Sequence, residues 1–476
     1  FRYCEVSADD LSDLEDAEFT AVAVYSDLRR TGFFKSSNAL LDQFVESTVW
    51  SARSNFLDIP TDCPTRERHG WTGDAQIFFD TAGWLFDCAS FFRKYVQDMY
   101  DWQRKDGCLP QIVPEGGVDF YMDAMNGSVG WADAGVLIPY RFWKRYGDRS
   151  ILEKYYKGMK KYARFMMKRC GKHTLLSKPL RIPHGYRKYA VNAGQSYGEW
   201  AEPADVHPNK WTDMVLPHPE VSTAYTSFVM GHMAEIAAEL GEDADHDLYR
   251  EYARQVRRSY QAIRSLPEFT LDTDRQAMLV RPLYMGLLDT EGRKYAQERL
   301  VKALDHYGWR LGTGFLSTPL ILDVLSEIDI GYAYRLLENE EMPGWLFMPK
   351  HGATTIWESW EGTEAQNGIA SLNHYSKGAV CAWLFETMCG IRIDGENHFL
   401  LSPKPGGSFT YAGASYDSIY GTVACRWERS DAGVRYTAEI PPNTSARVEL
   451  PGMEPFEVKA GKYEWMAETE KMTQKK

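Results

Sequence analysis

Residues 57–74 (LDIPTDCPTRERHGWTGD) form a stretch that is unusually rich in side chains able to carry or exchange protons. Its carboxylates are Asp58, Asp62, Glu67 and Asp74, and Trp71 lies among them. Each carboxylate has an ordinary structural interpretation. Asp62 can anchor a turn, Glu67 can form an exposed ion pair with a neighbouring arginine, and Asp74 can cap a helix. Their coincidence in one loop with a tryptophan is better explained by an acidic functional site.

A second acidic group lies far along the chain, in residues 352–368 (GATTIWESWEGTEAQNG). Glu358 and Glu361 alternate there with Trp357 and Trp360. Glycoside hydrolysis requires two carboxyl groups that face each other across a pocket. One protonates the leaving oxygen, and the other activates water or attacks the anomeric carbon. The two acidic segments therefore predict a carbohydrate-cleaving site if the fold brings them together.

The sequence carries none of the motifs expected for metal or nucleotide binding. It has eight cysteines but no CxxC pair and no HxxxH motif. It also lacks a Walker loop and a dinucleotide-binding fingerprint. We therefore predict no metal and no cofactor, with side chains supplying both the acid and the base.

The composition is that of a globular protein and does not favour a nucleic-acid or membrane partner. The 476 residues are 44% hydrophobic and 25% charged, and the formal net charge is −12. No apolar run reaches the ~18 residues that would span a bilayer. The chain opens without a start signal, so we expect its natural amino terminus, and any export signal, to lie upstream. We place the protein in the cytoplasm and leave its oligomeric state open.

Many tryptophans lie in or beside glycine- and proline-rich stretches, outside the periodic runs where core aromatics are expected. Aromatic faces in loops suit the apolar faces of sugars, so we interpret these residues as candidates for a sugar-binding surface. They are Trp71, Trp131, Trp200, Trp211, Trp309, Trp345, Trp357 and Trp360. Five loop positions are predicted to form the leaving-group side: Asp119, Tyr121, Tyr197, Glu199 and, from the tryptophans above, Trp200.

Apolar residues recur at helical spacing from about residue 38 to residue 389. The pattern predicts twelve helices, at 38–56, 75–86, 88–105, 131–146, 149–169, 220–240, 243–265, 274–288, 291–306, 317–326, 329–340 and 367–389. Connections after even-numbered helices are very short, whereas those after odd-numbered helices include 57–74, 106–130, 171–219 and 341–366. In an up-and-down ring all odd-to-even loops emerge at one end. We therefore predict a ring of six helical hairpins, an (α/α)6 barrel, with both acidic segments at its mouth.

The two ends of the chain are predicted to be β structure. Residues 1–30 contain the alternating stretches FRYCEV and TAVAVYSDL, and we interpret them as the remnant of an N-terminal β domain. Residues 31–390 form the predicted barrel. Residues 391–476 contain short β-like runs between turns, which favour a C-terminal β-sandwich that ends in a charged tail. The predicted fold class is therefore mainly α, with a β stub and a β-sandwich.

Four motifs are more specific: TDCPTRERHGWTGDAQIFFDTAGW, the preceding RSNFLDIP, GATTIWESW and SLNHYSKGAV. Together they resemble bacterial α-L-rhamnosidases of glycoside hydrolase family 78, and the likeness covers most of the chain. The resemblance implies a six-hairpin helical barrel flanked by β-sandwich domains. It also implies an exo-acting enzyme that hydrolyses terminal α-L-rhamnosyl residues with inversion, so that the partner is a rhamnose-containing carbohydrate or glycoside.

The same resemblance assigns roles to individual residues. Glu67 matches the general acid, and Glu358 matches the base that activates water. Some members carry an additional acidic residue before the ER pair, whereas this sequence has the shorter spacing. The residues predicted to bind substrate are Asp62, Asp74, Arg66, Trp71, Trp357 and His374.

Elementary electrostatics adds one expectation. A general acid must hold its proton near neutrality, and a neighbouring cation opposes this. Because Glu67 lies between Arg66 and Arg68, we expect both guanidinium groups to turn towards Asp62, Asp74 or the sugar. An inverting pair of carboxyl groups should stand ~6.5–9.5 Å apart, and a retaining pair ~5 Å apart.

Three alternatives remain at this point. A phosphorylase would replace the base with phosphate, which the glutamate at position 358 disfavours. The second is a glycosidase of different sugar specificity on the same barrel. An apolar pocket distinguishes two sugars that differ by one small group by only ~1–3 kcal/mol of binding free energy. A catalytically silent carbohydrate-binding fragment that lacks its N-terminal domains is the third.

Overall fold

The computed structural model describes residues 4–115, 123–174, 177–208, 210–364 and 370–467. Its longer helices are α1 (Ala39–Asn55), α2 (Thr72–Leu85), α3 (Ala89–Asp101), α4 (Ala134–Tyr146), α5 (Ser150–Arg169), α6 (Pro219–Leu240), α7 (Asp243–Ile263), α8 (Ala277–Tyr284), α9 (Thr290–His306), α10 (Ile321–Ile328) and α11 (Ile330–Leu337). A last helical segment follows, made of consecutive 3-10, α and π turns: Ser376–Val380, Cys381–Trp383 and Leu384–Met388.

The even-numbered helices form a closed inner ring. α2 packs against α4, α4 against α6, and α8 against α10. Arg281 of α8 forms a salt bridge with Glu220 of α6, and Trp383 of the last segment donates a hydrogen bond to Ser326 of α10 at 3.0 Å. The last segment packs on α2 and completes the circle.

Amphipathicity explains which helices are inside. Nearly every residue of α2 is buried, and α6 is buried along most of its length, as expected for helices surrounded by protein. Helices α3, α5 and α7 bury only one apolar face and expose a charged one, so they form the outer layer. The predicted ring of helical hairpins is confirmed.

The long loops meet at one end of the ring, as the alternation of loop lengths predicted. The Val113 amide donates to the Gly70 carbonyl at 2.9 Å, which joins the first two long loops. The amide of Ile356 donates to the Ser51 hydroxyl at 2.8 Å. The last long loop therefore lies against the first hairpin.

Five predicted helix starts, at 75, 131, 274, 317 and 367, differ from the observed ones by three residues or more, and two of these border the site. α2 begins at Thr72, three residues before the predicted start at 75. The first amides of a helix have no acceptor within the helix, and the Thr72 amide finds one in the Gln111 carbonyl at 2.9 Å. The last helix does not begin at 367. Residues 370–375 are not helical, since the His374 amide pairs with the carbonyl of Ile356 at 2.7 Å.

The strands predicted within residues 1–30 do not form in the described part of that segment, 4–30, which holds only a 3-10 turn (Leu11–Leu14) and an isolated bridge at Arg30. Strands need a partner for their backbone groups, and alternation alone does not supply one. Val22 is 72% exposed. The assignment of 1–30 to a separate β domain stays a prediction.

The C-terminal part is strand-rich, as predicted. Its strands are β4 (Ile391–Ile393), β5 (His398–Leu401), β6 (Tyr411–Ser418), β7 (Gly421–Ser430), β8 (Gly433–Val448) and β9 (Phe456–Ala467). They are joined by β1 (Gly32–Ser36) from the other end of the chain. β2 (Phe56–Leu57) and β3 (Ile59–Pro60) form a separate two-stranded sheet. The seven strands form one connected sheet in the order β1-β6-β7-β8-β5-β4, with β9 also paired to β8. β8 and β9 change register between Ile440 and Ser445.

The sheet and the ring share one hydrophobic core. Trp84 of α2 stacks on Phe385 at 5.4 Å between ring centroids and meets Tyr416 of β6 edge-on at 5.0 Å. The strand β1, which precedes α1, is antiparallel to β6 and fixes the start of the barrel to the sheet. Among the described helices, none has both the length and the apolar character to cross a membrane.

Candidate active site

A cavity of about 190 Å³ opens at the loop end of the ring. One side of it is acidic and the other is apolar. The lining residues are Asp62, Glu67, Trp71, Asp74, Met125, Trp131, Tyr197, Trp200, Met214, Phe315, Glu358 and His374. The two acidic segments of the sequence therefore meet in one cavity.

The first acidic loop is held closed by its own backbone. The carboxylate of Asp62 accepts the amide hydrogen of His69 at 3.0 Å, and the Asp62 amide donates to the His69 carbonyl at 2.9 Å. The Glu67 amide donates to the sulfur of buried Cys63 at 3.4 Å. Arg68 adopts a left-handed backbone conformation with φ 58°. These contacts fold the intervening residues into a tight turn that presents Glu67 to the cavity.

Asp62 combines the two roles that the sequence left open, because it anchors this turn and also lines the cavity. Burial raises the pKa of Asp62 to about 6. The charge of His374 opposes the shift, and the charges of Glu67 and Asp74 add to it. A buried carboxyl with this pKa changes its charge in mildly acidic solution.

Arg66 connects the two glutamates. Its Nη2 donates to Glu67 Oε1 at 2.8 Å and lies 3.3 Å from Glu358 Oε2. Because one nitrogen reaches both, these two carboxylate oxygens are at most about 6 Å apart, which is shorter than the ~6.5–9.5 Å expected for an inverting pair. The expectation that Arg66 turns away from Glu67 is wrong. The fold places the two carboxylates close enough for one guanidinium to contact both.

The remaining acceptor positions of the two glutamates are also used. Trp71 Nε1 donates to Glu67 Oε2 at 3.0 Å, so both oxygens of that carboxylate accept a hydrogen bond. Glu358 Oε2 accepts the amide hydrogen of Ser371 at 2.8 Å, and the Glu358 amide donates to the Ser371 carbonyl at 2.9 Å. This pairing between residues 356–358 and 371–374 sets Glu358 beside the loop that carries His374.

Asp74 does not cap a helix, since α2 begins two residues before it. Its Oδ1 lies 3.1 Å from His374 Nε2 and accepts a hydrogen bond from the Ser376 hydroxyl at 3.0 Å. The Ser376 amide donates to His374 Nδ1, which leaves Nε2 as the proton donor to Asp74. Burial lowers the pKa of His374, but the hydrogen bond and charge of Asp74 outweigh it with help from Glu358 and Asp62, so the net shift is upward.

The apolar side of the cavity is a cluster of aromatic rings. Tyr197 is its centre, with ring-centroid distances of 5.6 Å to Trp71, 4.7 Å to Trp131 and 6.1 Å to Trp200. The sequence singled out all four of these residues. It missed Met125, Met214 and Phe315, which also line the cavity, because nothing distinguishes an apolar pocket residue from a core residue in a single sequence.

Several candidates lie elsewhere. Trp357 does not line the cavity and packs against Phe347 at 6.1 Å between centroids. The Glu361 carboxylate accepts the Ala204 amide hydrogen at 2.8 Å. Glu199 is buried in a salt bridge with Arg281. Trp309, Trp345 and Trp360 are core residues, while Asp119, Tyr121 and the side chain of Trp211 lie outside the described residues. The isolated motifs could not separate these roles, because they depend on packing.

The part of the chain that the structure describes holds no group of three or more histidine, cysteine, aspartate or glutamate side chains arranged to bind a metal ion. The carboxyl groups in the cavity can supply both an acid and a base without a metal ion.

A closed ring of helical hairpins, with two facing glutamates and an aromatic wall at its mouth, is the arrangement of a six-hairpin glycosidase. Family comparison agrees: residues 29–388 match the model of the bacterial alpha-L-rhamnosidase six-hairpin glycosidase domain, and residues 393–464 match the bacterial alpha-L-rhamnosidase C-terminal domain. The chain belongs to this bacterial alpha-L-rhamnosidase family.

Named relatives and solved structures support the same placement. The chain is 32% identical to an alpha-L-rhamnosidase of Streptomyces avermitilis over 96% of its own length and 42% of the relative's, and 32% identical to one of Formosa agariphila over 95% and 47%. The Streptomyces avermitilis alpha-L-rhamnosidase solved in complex with L-rhamnose superposes with a TM-score of 0.78 at 30% identity, covering 92% of this chain and 42% of that one. The Dictyoglumus thermophilum alpha-L-rhamnosidase gives a TM-score of 0.80 at 27% identity, covering 92% and 50%. The chain therefore spans less than half the length of these curated relatives.

Proposed function

We propose that the protein is an inverting exo-α-L-rhamnosidase in which Glu67 is the general acid and Glu358 is the general base. The observation that carries the proposal is the shared contact with Arg66, which shows that two glutamates from distant segments face one cavity. The names of the relatives, and the L-rhamnose bound by one of them, support the sugar.

The shape of the cavity favours a single terminal sugar. Its volume of about 190 Å³ lies below the ~300–1,000 Å³ typical of pockets for larger ligands, so it suits one sugar ring rather than an extended chain. Rhamnose has hydroxyl groups and one methyl group. The acidic side can accept hydrogen bonds from the hydroxyls, and the rings of Trp131, Tyr197 and Trp200 offer an apolar surface for the methyl group.

The proposed reaction begins with displacement of Arg66 by the incoming sugar. Glu67, released from Arg66, then donates its proton to the glycosidic oxygen as the bond to the anomeric carbon breaks. Glu358 takes a proton from a water molecule, whose oxygen forms the new bond on the opposite face of the ring. The products are the free aglycone alcohol and a sugar of inverted configuration.

Replacement of each glutamate tests the assignment. Glu67→Gln and Glu358→Gln keep the size of the side chain and are each expected to lower kcat on a rhamnoside by at least ~10²–10⁴-fold. The two losses should differ with the leaving group. Glu67→Gln should recover activity on an aryl rhamnoside whose phenol leaves without protonation, and Glu358→Gln should not.

Glu364→Gln is the matched control, because Glu364 belongs to the same segment as Glu358 but is exposed and lies outside the cavity. It is expected to retain most of the parent activity. Near-parent activity in either Glu67→Gln or Glu358→Gln would refute the roles given to them.

Stereochemistry is tested by proton NMR of the first product released from an α-L-rhamnoside. We expect the β-anomer of L-rhamnose to appear before mutarotation, because water attacks the face opposite the leaving group. Initial release of the α-anomer would mean that Glu358 acts as a nucleophile and would overturn inversion, although not the hydrolase activity.

A further inference from the structure

Lys377 is a buried lysine that the mechanism does not use. It lies in the 3-10 turn that begins the last helical segment and is 1% exposed. It forms no salt bridge with any carboxylate of the described residues, and its Nζ donates to the backbone carbonyl of Ala201 at 3.3 Å. Burial of an ammonium group without a carboxylate partner is unfavourable. Its presence calls for a reason other than stability.

The ammonium group lies against two aromatic rings. Its Nζ is 4.3 Å from the ring centroid of Trp360 and 5.1 Å from that of Phe315. Both distances lie within the range in which a cation is attracted to the face of a ring. With the carbonyl of Ala201, these rings give Lys377 contacts to three separate segments of the chain.

Each of these segments contributes to the cavity. Phe315 lines it directly, and Trp200, which precedes Ala201, lines it as well. The carbonyl of Trp200 accepts the Phe315 amide hydrogen at 2.8 Å, so the two segments are joined by a backbone hydrogen bond. The third segment carries Glu358 two residues before Trp360.

We propose that Lys377 is a positioning residue for the proposed rhamnosidase reaction, whose buried positive charge holds the apolar wall of the cavity against the segment that carries the general base. The inference rests on the proposed function. Lys377 is not among the residues that line the cavity, so it acts through Phe315, Trp200 and Glu358.

The charge of Lys377 is conditional. Burial lowers the pKa of its ammonium group to about 7, while the carboxylates that face it favour the charged form. They are Glu361, Glu358, Glu199 and Glu202. The ammonium is therefore charged in mildly acidic solution and neutral in mildly alkaline solution, where its attraction to the two rings is lost.

Lys377→Met is the test, because methionine has a similar length and its thioether packs well on aromatic rings. Removal of a buried charge is neutral or favourable for stability, so Tm should not fall. We expect kcat/KM to fall roughly 10- to 100-fold in mildly acidic solution, because displacement of the aromatic residues of the cavity would misplace the bound sugar. The alkaline decline of kcat/KM that follows deprotonation of Lys377 should also disappear.

Lys350→Met is the matched control. Lys350 is partly exposed and pairs with Glu340 at 3.2 Å, so the substitution removes the same charge without touching the cavity. It should leave kcat, KM and the pH profile as in the parent. The proposal is overturned if Lys377→Met keeps the parent kcat/KM and pH profile, or if Lys350→Met changes them equally.

Lysine-selective carbon-13 NMR of the unmutated protein provides a second measurement that depends on neither the variant nor catalysis. One lysine side chain should titrate near pH 7, and all lysines titrating in the normal alkaline range would overturn the proposal. If the parent hydrolyses no rhamnoside, the proposed function fails, and this titration alone then decides whether Lys377 is the conditional charge described above.

Discussion

At the scale of single residues, Asp62 shows how one side chain serves both the fold and the site. Its carboxylate closes the loop that presents Glu67, and it does so while almost fully buried. Burial raises its pKa to about 6, so at neutral pH the protein keeps a charge that the fold disfavours. Such a cost is typical of a functional site.

Asp62→Asn should therefore stabilise the protein at neutral pH while lowering its activity. The pKa of Asp62 is raised in the folded state, so its unfavourable contribution is full above about pH 6 and fades as the pH falls towards the ordinary value of 3.8. Asparagine keeps the oxygen that accepts the His69 amide hydrogen. We expect a gain of roughly 2 kcal/mol at pH 7 and almost none at pH 4, measured by denaturant unfolding.

Asp58→Asn is the control for that experiment, since Asp58 lies on the same loop with its side chain 78% exposed. Its substitution should change stability little at either pH. Equal stability of Asp62→Asn and the parent across this pH range would contradict the account of Asp62.

Residue types and their order in the sequence were enough to identify the catalytic candidates. Glu67 and Glu358 were singled out from motif chemistry, and both line the cavity. The contacts of Arg66 were not foreseen, because the side-chain partners of an arginine depend on which carboxylates the fold brings within its reach. The position of Trp357 outside the cavity lining was not foreseen for the same reason: a tryptophan beside a pocket residue can face either way.

At the scale of elements, α2 is the structural centre of the site. Its N-terminal end carries Asp74, and its close approach to the loop after α3 places Trp131 on the cavity wall. Gly73 permits this approach, because a Cβ atom there would stand 2.4 Å from the indole ring of Trp131. The helix and the aromatic wall therefore pack at a distance that only glycine allows.

Gly73→Ala should destabilise the protein by ~1–3 kcal/mol through overpacking and should raise KM by displacing Trp131. Gly231→Ala is the matched substitution. It lies within α6 with no atom near the position of its Cβ, so it should stabilise the helix by ~0.5–1 kcal/mol. Thermal unfolding of both variants tests this prediction, which would be wrong if the two changes had the same sign.

Helical periodicity located the elements well and their ends less well. The alternation of short and long loops was sufficient to predict which loops share the mouth. The start of the last helical segment was not predictable, because residues 371–374 pair with 356–358 instead of continuing the helix. That pairing joins two parts of the chain that no local pattern connects.

At the scale of the whole molecule, the barrel and the C-terminal sheet behave as one packed body. The Trp427 indole of β7 donates to the Met388 carbonyl at 2.9 Å, and the Tyr334 hydroxyl of α11 donates to the Lys404 carbonyl at 2.6 Å. Tyr416 of β6 packs on Trp84 of α2. Loss of the sheet would expose core side chains of the barrel.

We therefore expect a single cooperative unfolding transition for the chain. Differential scanning calorimetry should give one peak with equal calorimetric and van't Hoff enthalpies, because neither part can unfold without exposing the shared core. Two separated peaks would show that the sheet and the barrel unfold independently and that the shared contacts are weak.

The sequence by itself determined the chemistry that the protein can offer, the order of its helices and the end of the ring at which the site lies. These properties follow from residue types and from local spacing, which the chain carries wherever it folds. Only the tertiary structure decided that Arg66 bridges the two glutamates, that Lys377 is buried against the wall of the cavity and that α2 begins early. Each of these depends on contacts between segments distant in sequence, and such contacts exist only after the ring has closed.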